Sequence, residues 1–170
     1  EDSIGRTWQC GTIQLDFQMP ERFDLPYIGQ DGEKHRPVVV HRTIFGSIER
    51  FMGILIEHFA GKFPLWLAPV QVQLIPVSEV HDDFTKQLAC LLEKEGIRVN
   101  IDFRNEKIGY RIREAQLQKV PYMLVIGDKE VQGDKLTVRN RDTEKQVILA
   151  KDDFIEILKE GIYSKSLILK

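Results

Sequence analysis

Beyond Pro69 the chain alternates strand and helix patterns, and that alternation limits its fold more than any other feature. Val70–Ile75 is a run of apolar and β-branched residues that predicts a strand. Val80, Phe84, Leu88, Leu91 and Leu92 mark the apolar stripe of a helix, closed by Gly96. Ile97–Phe103 predicts a strand, Ile108–Gln118 a basic helix ended by the Val120–Pro121 step, and Tyr122–Gly127 a buried strand. Lys135–Arg141 and Gln146–Leu149 fit antiparallel strands, and a last helix begins near Asp152 or Asp153, either able to cap it. Helices set between strands, with a hairpin at the edge, give a mixed-sheet α/β domain of about 100 residues.

Lys62–Pro69, KFPLWLAP, holds two prolines and no helical period, so the domain boundary falls there. Ahead of it, Trp8–Phe17 predicts a strand with Ile13, Leu15 and Phe17 on one face and Thr12 and Gln14 on the other. Gln18–Arg36 is polar and turn-rich, a long surface loop. Val38–Val40 is continuous in apolar residues, the pattern of a strand buried on both faces. A helix follows and stops near Gly61, with Ile48, Phe51, Met52, Leu55, Ile56 and Phe59 on its apolar stripe. Gly46, Ser47, Arg50 and Gly53 lie on another stripe, where two glycines beside a cation suggest a close approach by a sheet, a ligand or both.

Composition excludes little. At 42% hydrophobic and 29% charged residues the chain is an ordinary globular protein, and its formal charge of −2 makes any nucleic-acid surface a local one. No apolar run approaches the roughly 20 residues that span a bilayer, and no signal peptide is visible. Cys10 and Cys90 match no metal spacing, which fits reduced cysteines in a cytosolic protein. The chain begins at Glu1 with a strand signal inside ten residues, and it looks cut from something longer.

Four groups of residues could carry chemistry. Arg50 is the only Lys or Arg between Arg42 and Lys62; it is a solvated helix cation or a fork for phosphate. His41 ends a strand, where a core histidine is usual, and one histidine cannot make a zinc site. Gln9, Thr12 and Gln14 would meet one ligand only if a bulge at Gly11 turned Gln9 to the same side. Arg104–Lys119 holds five Lys/Arg against two Glu, either a solvated helix or a basic surface for a nucleic-acid backbone. Asn105, and Glu130 and Arg139 read as exposed, could hydrogen-bond base edges.

Five segments in order carry a resemblance: GRTWQCGTIQLDF (5–17), HRTIFGSIERFMGIL (41–55), WLAPVQV (66–72), DFRNEKIGYRIREA (102–115) and VPYMLVIGDKEV (120–131). Together they resemble the C-terminal part of bacterial-type threonyl-tRNA synthetases, class II aminoacyl-tRNA synthetases, over almost the whole chain. The resemblance implies an α/β protein in which residues 1–62 are the C-terminal remnant of the antiparallel-sheet catalytic domain. Residues 70–170 are then a mixed five-stranded α/β anticodon-binding domain.

GSIER would be the third class II motif, and Arg50 the arginine that grips the ATP triphosphate. His41 would be a ligand of the catalytic Zn²⁺. Gln9, Thr12, Gln14 and Ser47 would line the adenylate and threonine pocket, with Arg50 and Gln14 as the catalytic pair. Asn105, Lys107, Arg113, Glu130 and Arg139 would contact the anticodon loop. The implied activity is threonine–tRNA ligation: threonine and ATP, with Mg²⁺, give threonyl-adenylate, and threonine passes to tRNA-Thr. The implied setting is a cytoplasmic homodimer with no membrane association. Because the first two class II motifs and the other zinc ligands are missing, the resemblance implies a chain inactive alone, with residues 70–170 folding independently and binding tRNA weakly. A stand-alone tRNA-binding module and a synthetase-like accessory protein without catalysis are the alternatives.

Overall fold

The computed structural model describes residues 1–143 and 145–169. Two compact units divide after Phe59.

The first unit pairs β1 (Thr12–Asp16) antiparallel with β4 (Val39–Thr43) in the register Thr12↔Thr43, Gln14↔His41 and Asp16↔Val39. The stretch expected to be loop holds a short helix, α1 (Gln18–Arg22), and a small ladder of β2 (Tyr27–Ile28) with β3 (Lys34–His35). Asp16 starts α1, accepting at Oδ1 from the backbone N–H groups of Gln18 and Met19 at 2.9 Å each. Helix α2 (Ile48–His58) follows Ser47, whose Oγ accepts from the Arg50 backbone N–H at 3.4 Å.

Two expectations fail in this unit. Residues 8–11 lie outside the strand, and Val38 and Val40 are exposed instead of buried on both faces. The apolar faces exist as the sequence patterned them, but the unit covers them only in part, as where Phe45 stacks on Phe51. Ile13 and Ile48 are each 68% exposed, and α2 buries none of its residues. Two separate two-stranded ladders and two helices leave these faces without a closed core.

The second unit does close one. Its sheet has the order β6–β5–β7–β8–β9. Strands β5 (Val72–Pro76), β6 (Val99–Ile101) and β7 (Tyr122–Ile126) run parallel, and β8 (Lys135–Asn140) and β9 (Gln146–Ala150) add antiparallel. On one face α3 (Asp82–Lys94) and α6 (Lys151–Tyr163) bury Leu88, Leu92, Phe154 and Leu158 against Val72, Leu74, Leu124 and Ile126. On the other face α4 (Ile108–Leu117) sets Ala115 on Ile75 and Met123. Strand β5 is therefore buried on both faces, every residue of it.

Other details depart from the sequence reading. Helix α3 ends as expected, with Gly96 at φ +78°, but Val80 lies in a 3₁₀ turn before it and is 86% exposed. A short helix missed by pattern, α5 (Asp128–Gln132), follows β7. Helix α6 starts after Ala150 with no side-chain cap; Asp152 and Asp153 sit inside its first turn, where the helix dipole favours them.

The segment 62–69, read as the boundary, packs into the second unit. Leu65 joins the core, and the fully buried Gln71 ties the segment down. Its Nε2 donates to the Leu65 carbonyl and its Oε1 accepts from the Arg98 N–H, both at 2.8 Å. Gln71→Ala strands both backbone groups in the interior and is expected to cost about 2–3 kcal/mol by urea denaturation. Val80→Ala, by contrast, is expected to stay within about 0.5 kcal/mol of the parent.

Candidate nucleic-acid interface

The glycine-flanked arginine of the first unit has its close approach at one glycine only. Gly46 takes φ +68°, and a Cβ there would sit 3.3 Å from Arg50 Nη2 and under 4 Å from the carbonyls of Gln9 and Cys10. Nothing lies within 4 Å of a Cβ at Gly53. The Arg50 guanidinium stands 5.6 Å from the Trp8 ring centroid, and that of Arg6 stands 5.3 Å from it. Trp8 is itself oriented by Asp2, which accepts from its Nε1 at 2.9 Å. Gln9 Nε2 donates to Thr12 Oγ1 at 3.1 Å, so these two meet without a strand bulge. Arg50, Gln9 and Thr12 thus gather around the Gly46 turn. Ser47 is the helix cap beside it. Trp8 was missed because an aromatic residue at a strand start looks like core.

Gln14 and His41 are cross-strand partners farther along the ladder. His41 Nε2 lies 3.4 Å from Asp16 Oδ2. The backbone N–H of Met19 holds the Asp16 carboxyl below the usual carboxylate range, outweighing desolvation, with the Gln18 N–H and His41 adding to the effect. One imidazole beside one carboxylate does not make a zinc site, and among the described residues no three His, Cys, Asp or Glu gather to hold a metal.

In the second unit the basic segment is smaller as a surface than its charge count. Arg111 is buried, donating from Nη1 to the Asp102 carbonyl and from Nη2 to the Pro76 carbonyl at 2.9 and 2.8 Å. It fastens α4 to the end of β5. Arg104 forks onto Asp102 at 2.9 and 2.7 Å. Asn105 and Lys107, the residue just ahead of α4, are left exposed on that loop, and Arg113 is exposed on α4.

Glu130 corrects an expectation. It is 8% exposed, not a surface group, and its carboxylate accepts from the Gly127 N–H at 3.1 Å and Thr137 Oγ1 at 2.7 Å. It caps α5 at the end of β7 where the parallel strands finish. His81 anchors the same helix: its ring bridges Ser78 Oγ and Asp128 Oδ1, each at 3.0 Å. Arg139 is half-buried on β8 opposite Met123, not exposed, and shares a cleft with Arg113. The five residues therefore form two groups. Asn105, Lys107 and Glu130 stand at the carboxyl ends of the parallel strands; Arg113 and Arg139 meet on the α4 face.

Residues 71–161 match the anticodon binding domain family, and residues 1–59 match the tRNA synthetase class II core domain (G, H, P, S and T). A threonine–tRNA ligase of Clostridium botulinum is 63% identical over 98% of this chain. One from Acetivibrio thermocellus is 61% identical over 97% of it. The chain spans only 26% of the length of each. Among solved structures, the RNA binding domain of a threonyl-tRNA synthetase from Cryptosporidium parvum covers 94% of this chain with a TM-score of 0.77 and 41% identity; the match takes in 40% of that chain.

The Asp102–Arg104 fork sets a pH dependence for the loop that carries Asn105. Hydrogen bonds from Arg104, opposed by desolvation, hold the Asp102 carboxyl below its ordinary range. A depressed carboxylate contributes stability above its unfolded pKa of about 4 and loses it as pH falls through the folded value. The unfolding free-energy difference between the parent and Arg104→Gln is expected to hold from pH 7 to about 4, then to shrink.

Proposed function

The chain belongs to the anticodon-binding domain family and stands in sequence among the threonyl-tRNA synthetases, and from that premise we propose that it is the tRNA-recognising part of a threonine–tRNA ligase. The observation that carries this reading is the second unit itself: a closed α/β core presenting Asn105, Lys107 and the Glu130 cap at one end of its sheet. On this reading Asn105, Lys107, Glu130, Arg113 and Arg139 contact the anticodon loop of tRNA-Thr. Unpaired loop bases expose hydrogen-bonding edges that amide, carboxylate and guanidinium groups can read.

The first unit supplies part of a class II active site. Arg50 would bind the ATP phosphates, since a guanidinium fork matches phosphate oxygens and its charge is close to the Gly46 turn. Gln9, Thr12, Gln14 and Ser47 would line the pocket for threonine and its adenylate. Mg²⁺ would accompany the ATP of the whole enzyme. The residues present do not fit a resident Zn²⁺, which would need ligands these residues do not bring to His41, so no step is assigned to it. Discrimination among amino acids by a site that demands a hydroxyl would reject valine by roughly 10⁴-fold or more.

The apolar faces of β1, β4 and α2 fit this partial role: they are the surface a larger catalytic sheet would cover, in a cytoplasmic homodimeric enzyme. A tRNA-binding module without catalysis is the second reading, favoured by a second unit whose core is complete without the first. In either case the 170-residue chain does not form threonyl-adenylate. ATP–pyrophosphate exchange at background with the purified chain is the expected outcome, and threonine-dependent exchange above it would sink this reading. The same chain is expected to bind tRNA-Thr with a salt-dependent affinity. Asn105→Ala should weaken that binding roughly 10-fold and relax discrimination among anticodons, measured by filter binding against a second tRNA.

A further inference from the structure

Lys62, Arg113, Lys119, Arg139 and Arg141 line one cleft of about 370 Å³ over Met123. Among the described residues that line it, none is a carboxylate. On a chain with formal charge −2, such a gathering of one sign is local, and apart from Arg141, which Asp142 pairs, the like charges repel one another. The walls are built, not loose. Arg141 Nη1 donates to the carbonyls of Phe63 and Lys119 at 3.0 and 2.8 Å, while its Nε pairs with Asp142 at 3.0 Å. Lys119 holds a left-handed backbone at φ +57°, and its Nζ reaches the Ala60 carbonyl.

One donor of a residue that lines this cleft has nothing to give to. Arg139 Nε is buried and, among the described residues, has no hydrogen-bond partner. A buried guanidinium N–H without an acceptor is costly, and an arriving phosphate oxygen removes that cost while matching the fork.

We infer that this cleft is a phosphate site and that it takes a backbone phosphate of the bound tRNA. The inference rests on the tRNA-binding reading and changes its content. Arg113 and Arg139 then position the RNA strand, and base discrimination falls to the Asn105–Glu130 end of the sheet.

The test measures tRNA-Thr affinity of the whole 170-residue chain from 50 to 300 mM salt, for the parent, Lys62→Gln, Lys119→Met and Asn105→Ala. Each lysine variant is expected to lower the log–log salt slope by about 0.7–0.9 and to weaken binding about fivefold, equally for tRNAs of different anticodons. Asn105→Ala is expected to leave the slope unchanged. Should Lys119→Met disturb the fold, the exposed Lys62→Gln carries the measurement alone. A second arm titrates inorganic pyrophosphate and follows the Arg139 Nε–H signal in ¹⁵N spectra; the signal is expected to move, and not to move with sodium chloride at equal ionic strength. Unchanged slopes with a moving signal overturn the RNA assignment in favour of free phosphate. A still signal overturns the phosphate site. A parent chain that binds no tRNA while the signal moves sinks the proposed function and the RNA assignment, and keeps the phosphate site.

Discussion

Burial of strand β5 on both faces is the constraint on which the second unit depends. A strand hydrogen-bonded along both edges and covered on both sides has one register available, because a slip by one residue would exchange Leu74 for its neighbours on each face. Helices α3 and α6 cover one side and α4 the other, so the segment after each parallel strand must return over a defined face. The carboxyl ends of β5, β6 and β7 are fixed relative to one another as a result. It is there that Arg111 bolts α4 to the Pro76 carbonyl, Arg104 locks onto Asp102, and His81 holds α5. Asn105 and Glu130 inherit their positions from those fastenings.

The first unit shows what the same chemistry does without a cover. Its strands alternate and its helix is amphipathic, yet Ile13, Leu15, Val40, Ile48 and Met52 all stay in solvent. Its order comes from polar contacts at close range: Asp2 with Trp8 and Arg6, Asp16 with the start of α1, Ser47 with the start of α2. Such contacts specify a local path and contribute little net stability each, since water competes for every one of them.

The alternation beyond Pro69 was legible in the sequence because helix and strand periods differ and each apolar stripe has a surface to bury. The α/β class, the antiparallel edge hairpin and the helix stop at Gly96 follow from that pattern. What pattern could not show was the use of individual polar groups. Arg111 and Glu130 are charged residues in polar stretches, so a one-dimensional reading puts them outside; only the folded chain brings the carbonyls of Pro76 and Asp102, or the hydroxyl of Thr137, within reach. Gln71 escaped for the same reason, and with it the fact that 62–69 belongs to the second unit. Val38–Val40 failed in the opposite sense, because an apolar run says what a strand could bury and not whether a partner is there to bury it.

The sheet order also sets an order in time. Strands β8 and β9 pair residues as near in sequence as Arg139 and Gln146, a hairpin that can close in microseconds, whereas β5 must find β7 by joining Val72 to Tyr122. Closing the longer loops costs more chain entropy before any contact compensates it, so the parallel pairs mark the slow step of folding. The carboxyl ends of those strands are therefore finished last. When the whole chain refolds from denaturant, its edge hairpin and helices would therefore be in place before the Asn105 loop and the Glu130 cap reach their final positions.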